Sequence, residues 1–269
     1  MKKESVIRKF SIKRQHFAFP YFFLSALFVV VPLIILLVYA FRDASGAFTL
    51  GNFAAFFSEN ILMQMRNSLM IAAFTTIGCL LLAYPTALIL ANSKFNKTMI
   101  LVLMFILPMY INSMLRTYAI KSLFDMIELH DSFIRIVIAH IYDFFPFMLL
   151  PIYTVLVNMD KSYLEASNDL GGSAVSTFLR ITLPLSLPGI ISGVLMVFMP
   201  TVSMFAIRDI VVEGTGWRVI GNAIGSMFGD QSTYGFGAAY AMILLVMVVV
   251  TMLIANRMNR SRNLSGGAK

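Results

Sequence analysis

Six stretches of this chain, residues 17–41, 67–91, 98–115, 134–157, 187–207 and 235–256, are each long and apolar enough to cross a bilayer. A hydrocarbon layer about 30 Å thick takes roughly 20 residues of helix. A lone segment satisfies all its backbone groups there only as helix. The expected fold class is therefore all-α, a polytopic membrane protein with six transmembrane helices. Composition agrees: 59% of the residues are apolar and 13% charged, where a soluble domain carries about a quarter charged residues. The first run follows the basic leader MKKESVIRKFSIKRQ. It is too long for a signal-peptide core and lacks a small-residue cleavage site, so it reads as a retained span. The chain divides into a basic N-terminus at 1–16, a permeating domain at 17–256 and a basic tail at 257–269.

Orientation follows from Lys and Arg. With the N-terminus inside, fourteen of the 21 basic residues and only four of the 13 acids fall in cytoplasmic segments. The positive-inside rule then places both termini in the cytoplasm. The net charge of +8 is explained by retention beside an anionic inner leaflet, without nucleic acid. Catalytic chemistry is not indicated. Cys79 is alone, so neither an internal disulfide nor a cysteine metal site can form. His16, His130 and His140 lack a metalloprotease spacing, and neither a Walker A loop nor a GxSxG elbow occurs. No enzyme activity, metal or chain-bound cofactor is expected.

The segment 159–186 is the longest cytoplasmic connection, far longer than the loop at 93–97, and it is organised. Ser162 and Glu165 have the spacing of a capping box, in which the hydroxyl accepts the Glu165 N–H and the carboxylate accepts the Ser162 N–H. Gly171 can take a positive φ and end that helix after Leu170. Ser173 can cap a second helix with Phe178, Ile181 and Leu185 on one face, and Pro184 and Pro188 mark the return to the membrane. Two short helices offered to the cytoplasm form a docking surface.

The run Glu165, Ala166, Ser167, Gly171, Ile181, Leu183 and Pro184 resembles the EAA loop of ABC importer permeases: EAA, three residues, G, nine residues, I, one residue, L-P. Every spacing is kept, and Ser167 stands where the pattern prefers Ala. The polyamine branch, in its B-type spermidine/putrescine permease subunit, is similar over nearly the whole chain. The residues that carry this are Arg66-Asn67-Ser68-Leu69, Tyr84-Pro85-Thr86-Ala87, Leu107-Pro108, Asn112 to Ala119, Phe145-Pro146-Phe147, Pro151-Ile152-Tyr153 and Gly235 to Ala239. The segment 121–133 is shorter than that family's usual linker. The resemblance implies a type I importer permease fold in the bacterial inner membrane. It implies that Glu165, Ala166 and Gly171 couple to a cytoplasmic ATPase present in two copies, which uses the ATP and Mg. It implies a second homologous permease subunit and an extracytoplasmic polyamine-binding protein. The EAA loop reports the engine rather than the load, so thiamine or ferric iron are alternative cargoes. An ion-coupled secondary transporter would want an inverted repeat with broken helices at the midplane, and no such internal symmetry is seen.

A trivalent cation gains roughly 7 kcal/mol from an inside-negative potential of about 100 mV, but its path must replace water with carboxylates and aromatic faces. Candidates are Tyr110, Asp143, Phe205 and Asp209. Asp143 lies deep in the fourth run, where it either meets substrate or pairs with an internal base or His140. Asp209 is placed at the outer end of the fifth run, beside Arg208, as a cation guide or one half of a surface ion pair. Tyr110 and Phe205 serve either as stacking surfaces or as ordinary interfacial and packing aromatics.

Overall fold

The computed structural model describes residues 14–92, 100–212, 214 and 216–266; the basic leader through Lys13, the 93–97 loop and the last three residues lie outside them. Among the described residues the chain is helical, with one isolated antiparallel bridge between Arg42 and Phe48. In chain order the helices are α1 (Arg14–Ala40), α2 (Gly51–Ala55), α3 (Glu59–Ala91), α4 (Ile100–Ile106), α5 (Ser113–Met126), α6 (Ser132–Val157), α7 (Ser162–Asp169), α8 (Ala174–Thr177), α9 (Leu183–Ser203), α10 (Ala206–Val211), α11 (Ile220–Met227) and α12 (Tyr234–Gly266).

Five stretches are long and apolar enough to span alone: Pro20–Ala40 of α1, α3, α6, Ala174–Ser203 and Gln231–Ile254. The sixth differs from the straight run expected at 98–115. Its two halves, Ile100–Tyr110 and Ser113–Met126, meet at 96°. Pro108 sits in a 3-10 turn over Leu107–Tyr110, and Ile111 is extended at ψ 143. Asn112 then restarts the helix, its side chain accepting from the Met114 and Leu115 N–H groups. A proline that removes a donor, followed by a strong N-cap, terminates one helix and nucleates another. The first half, 11 residues, reaches only about 16 Å. In the segment 121–133 the helix continues through Met126, and Asp131 caps α6 by accepting from Ile134 N–H at 2.8 Å.

The fifth run is also broken. Met204 is extended at ψ 121 after α9, so Ile207 and Asp209 belong to the separate short helix α10. A final difference concerns the tail, since α12 continues as helix to Gly266, well beyond residue 256.

The core is the α3, α6 and α9 trio, around buried Ile71, Cys79, Ile136, Met148, Ile152 and Val197. Close approach of α9 to α6 depends on a GxxxG pair. A Cβ on Gly189 would lie 2.8 Å from the Pro151 carbonyl oxygen, and one on Gly193 2.7 Å from Met148 Sδ. Without a hydrophobic drive between helices in lipid, such small residues let backbones meet and dispersion accumulate. A second cluster joins the ends of α1, α3 and α11 to α12 through Ala40, Met65, Ile220 and Tyr240. Over Pro20–Ala40 the most apolar window of α1 contains no buried residue. Its outer surface is matched to lipid or a partner subunit rather than to this chain.

Candidate functional site

At one end of the bundle, between α6 and α9, the chain builds a compact two-helix projection. Its first helix begins differently from the expected capping box. Asp160, not Glu165, accepts the Ser162 N–H, at 2.9 Å, while the Glu165 N–H bonds the Lys161 carbonyl at 3.0 Å. An Asp two residues before a helical N–H makes an Asx turn and satisfies the donor that the capping box would have used. The Ser162 backbone N–H and hydroxyl together hold the Asp160 carboxyl below the usual carboxylate range. The Glu165 carboxylate is left exposed, with no hydrogen bond or ion pair among the described residues.

The end of α7 follows the sequence expectation. Gly171 takes φ +75, its N–H bonds the Asn168 carbonyl at 2.9 Å, and the Gly172 N–H bonds the Ser167 carbonyl at 2.8 Å. That pair of bonds is a Schellman motif. Ser173 then caps α8 through the Ser176 N–H. A hydroxyl pair, Ser167 Oγ to Thr177 Oγ1 at 2.7 Å, ties α7 to α8. This explains why Ser serves where the motif prefers Ala: the extra hydroxyl finds a partner.

The second helix is not a separate element, as the proline positions had suggested. It passes through a π turn, Phe178–Thr182, directly into α9. The wider turn accommodates Pro184, which has no N–H to return to the preceding turn. Tyr84 of α3 fastens this junction, meeting Phe178 edge-on with centroids 5.7 Å apart. Its hydroxyl bonds Ser186 Oγ at 2.8 Å. Ile181 and Leu183 are half-buried here and Pro184 is exposed. No residue of α7 is buried, and Tyr163, Leu170 and Val175 stand exposed beside Glu165 and Ala166, Leu170 at 89%. A helix tied at both ends, with apolar side chains and the carboxylates of Glu165 and Asp169 exposed, is a surface made to be covered.

At the opposite end, α10, α11 and the loop between them enclose a cavity of about 280 Å³ that brings together Phe205 and Asp209. Arg208 donates to Asp209 Oδ1 at 3.0 Å and to the Gly214 and Gly216 carbonyls, closing the loop. Asn222 was not singled out from sequence. Its Nδ2 donates to both Asp209 oxygens, at 2.8 and 3.0 Å, and its Oδ1 accepts the Val219 N–H. The only local signal was an Asn three residues after the start of a helix. Asp209 nevertheless keeps a side chain 42% exposed. Asn67 and Ser68, carriers of the resemblance, hold the same loop: Asn67 donates to the Arg218 carbonyl at 3.0 Å, and Ser68 Oγ accepts the Ile220 N–H at 2.9 Å.

Asp143 lies outside that cavity, buried at 5% exposure. Its two oxygens take Arg116 and, at 3.0 Å, the Ser113 hydroxyl, both from the first turn of α5. Of the pairings expected for it, the internal base is the one realised, while His140 turns its Nδ1 to the Ile136 carbonyl at 2.8 Å. Tyr110 is 82% exposed on the 3-10 turn.

Comparison with known proteins gives a concordant result. Residues 83–263 match the family model described as "Binding-protein-dependent transport system inner membrane component". The chain is 31% identical over 259 residues to the spermidine/putrescine transport system permease protein PotB of Haemophilus influenzae, covering 88% of this chain and 90% of that one. It is 31% identical over 260 residues to PotB of Escherichia coli, covering 88% and 94%. It is 26% identical to the permease protein PotC of Haemophilus influenzae, over 88% of this chain and 93% of that one. Among solved structures, a bacterial alginate ABC transporter in complex with its periplasmic protein has a chain that superimposes with a TM-score of 0.74 at 16% identity, over 92% of this chain and 93% of that one.

Proposed function

Because the chain belongs to the inner-membrane components of binding-protein-dependent transport systems, and so is a multi-pass permease subunit of an ABC importer, we propose that it carries polyamines and takes its drive through α7. The cargo reading is supported by the similarity to spermidine/putrescine permeases over almost the full chain. The coupling reading is carried by one observation, an α7 that buries none of its residues yet is tied at both ends. A cytoplasmic ATPase, two copies per transporter, receives that helix. It binds the ATP and Mg, while this chain contributes no catalytic group. A second, homologous permease completes the path, and a polyamine-binding protein delivers cargo at the opposite face.

The geometry supports a route for the transmission. Displacement of α7 passes through the Ser167–Thr177 bond to α8, through the π turn to α9, and through Tyr84 to α3. Both α9 and α3 belong to the core trio. At its far end α9 breaks at Met204 into the segment that bears Phe205 and Asp209. One helix thus joins the driven surface to the candidate cargo cavity. Phe205 supplies an aromatic face and Asp209 a carboxylate, the two groups that replace water around an ammonium. Tyr110, exposed on the 3-10 turn that ends the short first half of the bent pair, offers a further aromatic face. Asp143, with both oxygens engaged, serves the path by fixing the start of α5. Six crossings, counting the bent pair as one, return both termini to the side of the coupling segment, and the Lys and Arg distribution supports that side being cytoplasmic.

The test is reconstitution in cells that neither make nor otherwise import polyamines. Expression of this chain with its ATPase, second permease and binding protein should restore labelled spermidine accumulation. Restoration of thiamine or ferric iron uptake instead would move the cargo while leaving the engine in place.

A further inference from the structure

At the end of α1 away from the coupling segment, the chain makes a short rigid excursion before α2. Arg42 and Phe48 form the antiparallel bridge, and Gly46 turns the chain at φ +83. Asp43 Oδ1 accepts from the Ser45 N–H at 2.9 Å, the Ser45 hydroxyl at 2.6 Å and the Ala47 N–H at 2.9 Å. Asp43 Oδ1 thus holds its own loop, while the same carboxylate also borders the larger of two neighbouring hollows. The turn brings Phe48 parallel to Phe41, ring centroids 5.7 Å apart and planes 3° apart, although Phe48 remains 75% exposed.

Two hollows share Arg42. One, about 470 Å³, is an apolar slot walled by Leu37, Val38, Phe41 and Phe48. The other, about 530 Å³, is more polar, walled by Tyr39, Asn52, Gln231, Ser232 and Tyr234. The Arg42 guanidinium is exposed between them and makes no hydrogen bond or ion pair among the described residues. The slot runs along the last turns of a transmembrane helix with no buried residue in its apolar window, so it opens to the hydrocarbon. The polar cavity lies just beyond the end of α1, bordered by residues on both sides of the α12 start.

We propose that these two hollows form one binding site for an anionic phospholipid with a small hydroxylated headgroup, of the phosphatidylglycerol class. An acyl chain fills the slot, its phosphate meets the unpaired Arg42 guanidinium, and the headgroup hydroxyls enter the polar cavity toward Gln231 and Ser232. Charge complementarity selects the ligand. An exposed cation with no partner beside an apolar slot, at the end of a span, fits an anionic amphiphile, and neither a neutral lipid nor a soluble anion satisfies both halves. The lipid bridges the ends of α1 and α12, which this chain also joins through the Tyr39–Tyr234 ring contact and the apolar cluster around Ala40 and Tyr240. Only the choice of leaflet, the outer, rests on the orientation proposed above.

The experiment is native mass spectrometry of the transporter purified with its partner subunits and titrated with phosphatidylglycerol, phosphatidylcholine or tail-free glycerophosphoglycerol. The wild type should retain one phosphatidylglycerol per copy of this chain at concentrations about tenfold lower than phosphatidylcholine, and the tail-free headgroup should not displace it. Arg42→Gln should abolish the preference, Arg42→Lys should keep most of it, and Phe48→Ser should weaken both lipids alike. Equal phosphatidylglycerol retention by wild type and Arg42→Gln would overturn the proposal. So would displacement by glycerophosphoglycerol, which would identify a soluble-anion site. Loss of a protein subunit rather than of lipid from Arg42→Gln would also overturn it, since the hollows would then be a protein interface.

Discussion

Asp143 and Asp209 are two carboxylates of one chain with opposite prospects. Asp143 is buried, one oxygen accepting the Ser113 hydroxyl and the other ion-paired with Arg116, while among the described residues Asp143 Oδ1 and Arg116 Nε and Nη1 have no hydrogen bond. Taking one charge from a buried pair strands the other, at about 3 kcal/mol or more. Asp143→Asn should therefore lower the amount of folded permease in the membrane. Arg116→Leu combined with Asp143→Leu should recover much of it, because replacing both members by apolar groups is often nearly neutral. Immunoblots of membranes check this; recovery of uptake without recovery of abundance would contradict it. Asp209, 42% exposed and oriented by Asn222, should behave otherwise. Asp209→Asn should leave abundance unchanged and reduce spermidine uptake per inserted molecule several-fold to about tenfold. Equal uptake would remove it from the cargo path. Sequence could count how far each residue lies along its apolar run, although Asp209 proves to sit in α10, past the break at Met204. It could not tell the buried one from the exposed one, because Arg116 reaches Asp143 only through the packing of α5 on α6, and Asn222 reaches Asp209 only through the path of the chain between α10 and α11.

The coupling helix shows how one element can be half legible. Gly171 and Ser173 act as their local chemistry requires, since a positive φ and an N-cap are decided within a few residues. The Ser162–Glu165 pattern was outcompeted by Asp160, whose Asx turn reaches the same N–H from the other side. Hydropathy likewise could not register the breaks at Ile111 and Met204, because the residues on both sides of each remain apolar. Gly171→Val places a β-branched residue at φ +75, a conformation costing about 1–2 kcal/mol for an L residue. Nothing lies within 4 Å of the added Cβ, so the fault would be backbone strain that redirects α8. Reduced co-purification of the ATPase is the expected readout, and an undiminished complex would make the glycine incidental. Asp160→Ala should raise hydrogen exchange at the first turn of α7 by about fivefold, and Asp160→Asn, which keeps the acceptor, should not. The sign of the pH effect follows from the lowered Asp160 carboxyl. Its contribution is fully present above the ordinary value of 3.8 and is lost as pH falls through the lower folded value, so α7 should be indifferent to pH near neutrality. Loosening between pH 6 and 8 would point to another group.

At the scale of the molecule, the bilayer made the architecture legible and the partners leave part of it open. Six apolar runs in lipid must be helices, and the all-α arrangement follows before any contact is known. The surfaces that stay bare in this chain, α1 over its most apolar window and most of α7, none of whose residues is buried, are those that a single sequence cannot assign by packing. Force is proposed to enter through α7, where Glu165, whose carboxylate has no partner among the described residues, meets the ATPase. The most direct measurement is ATP-driven uptake of labelled spermidine into proteoliposomes holding the complete transporter, wild type against Glu165→Lys, with hydrolysis recorded in parallel. The account predicts saturable uptake in the wild type. In Glu165→Lys it predicts intact insertion, uptake reduced to background, and hydrolysis no longer stimulated by cargo-loaded binding protein. Wild-type uptake by Glu165→Lys, at equal protein and equal hydrolysis, would contradict it.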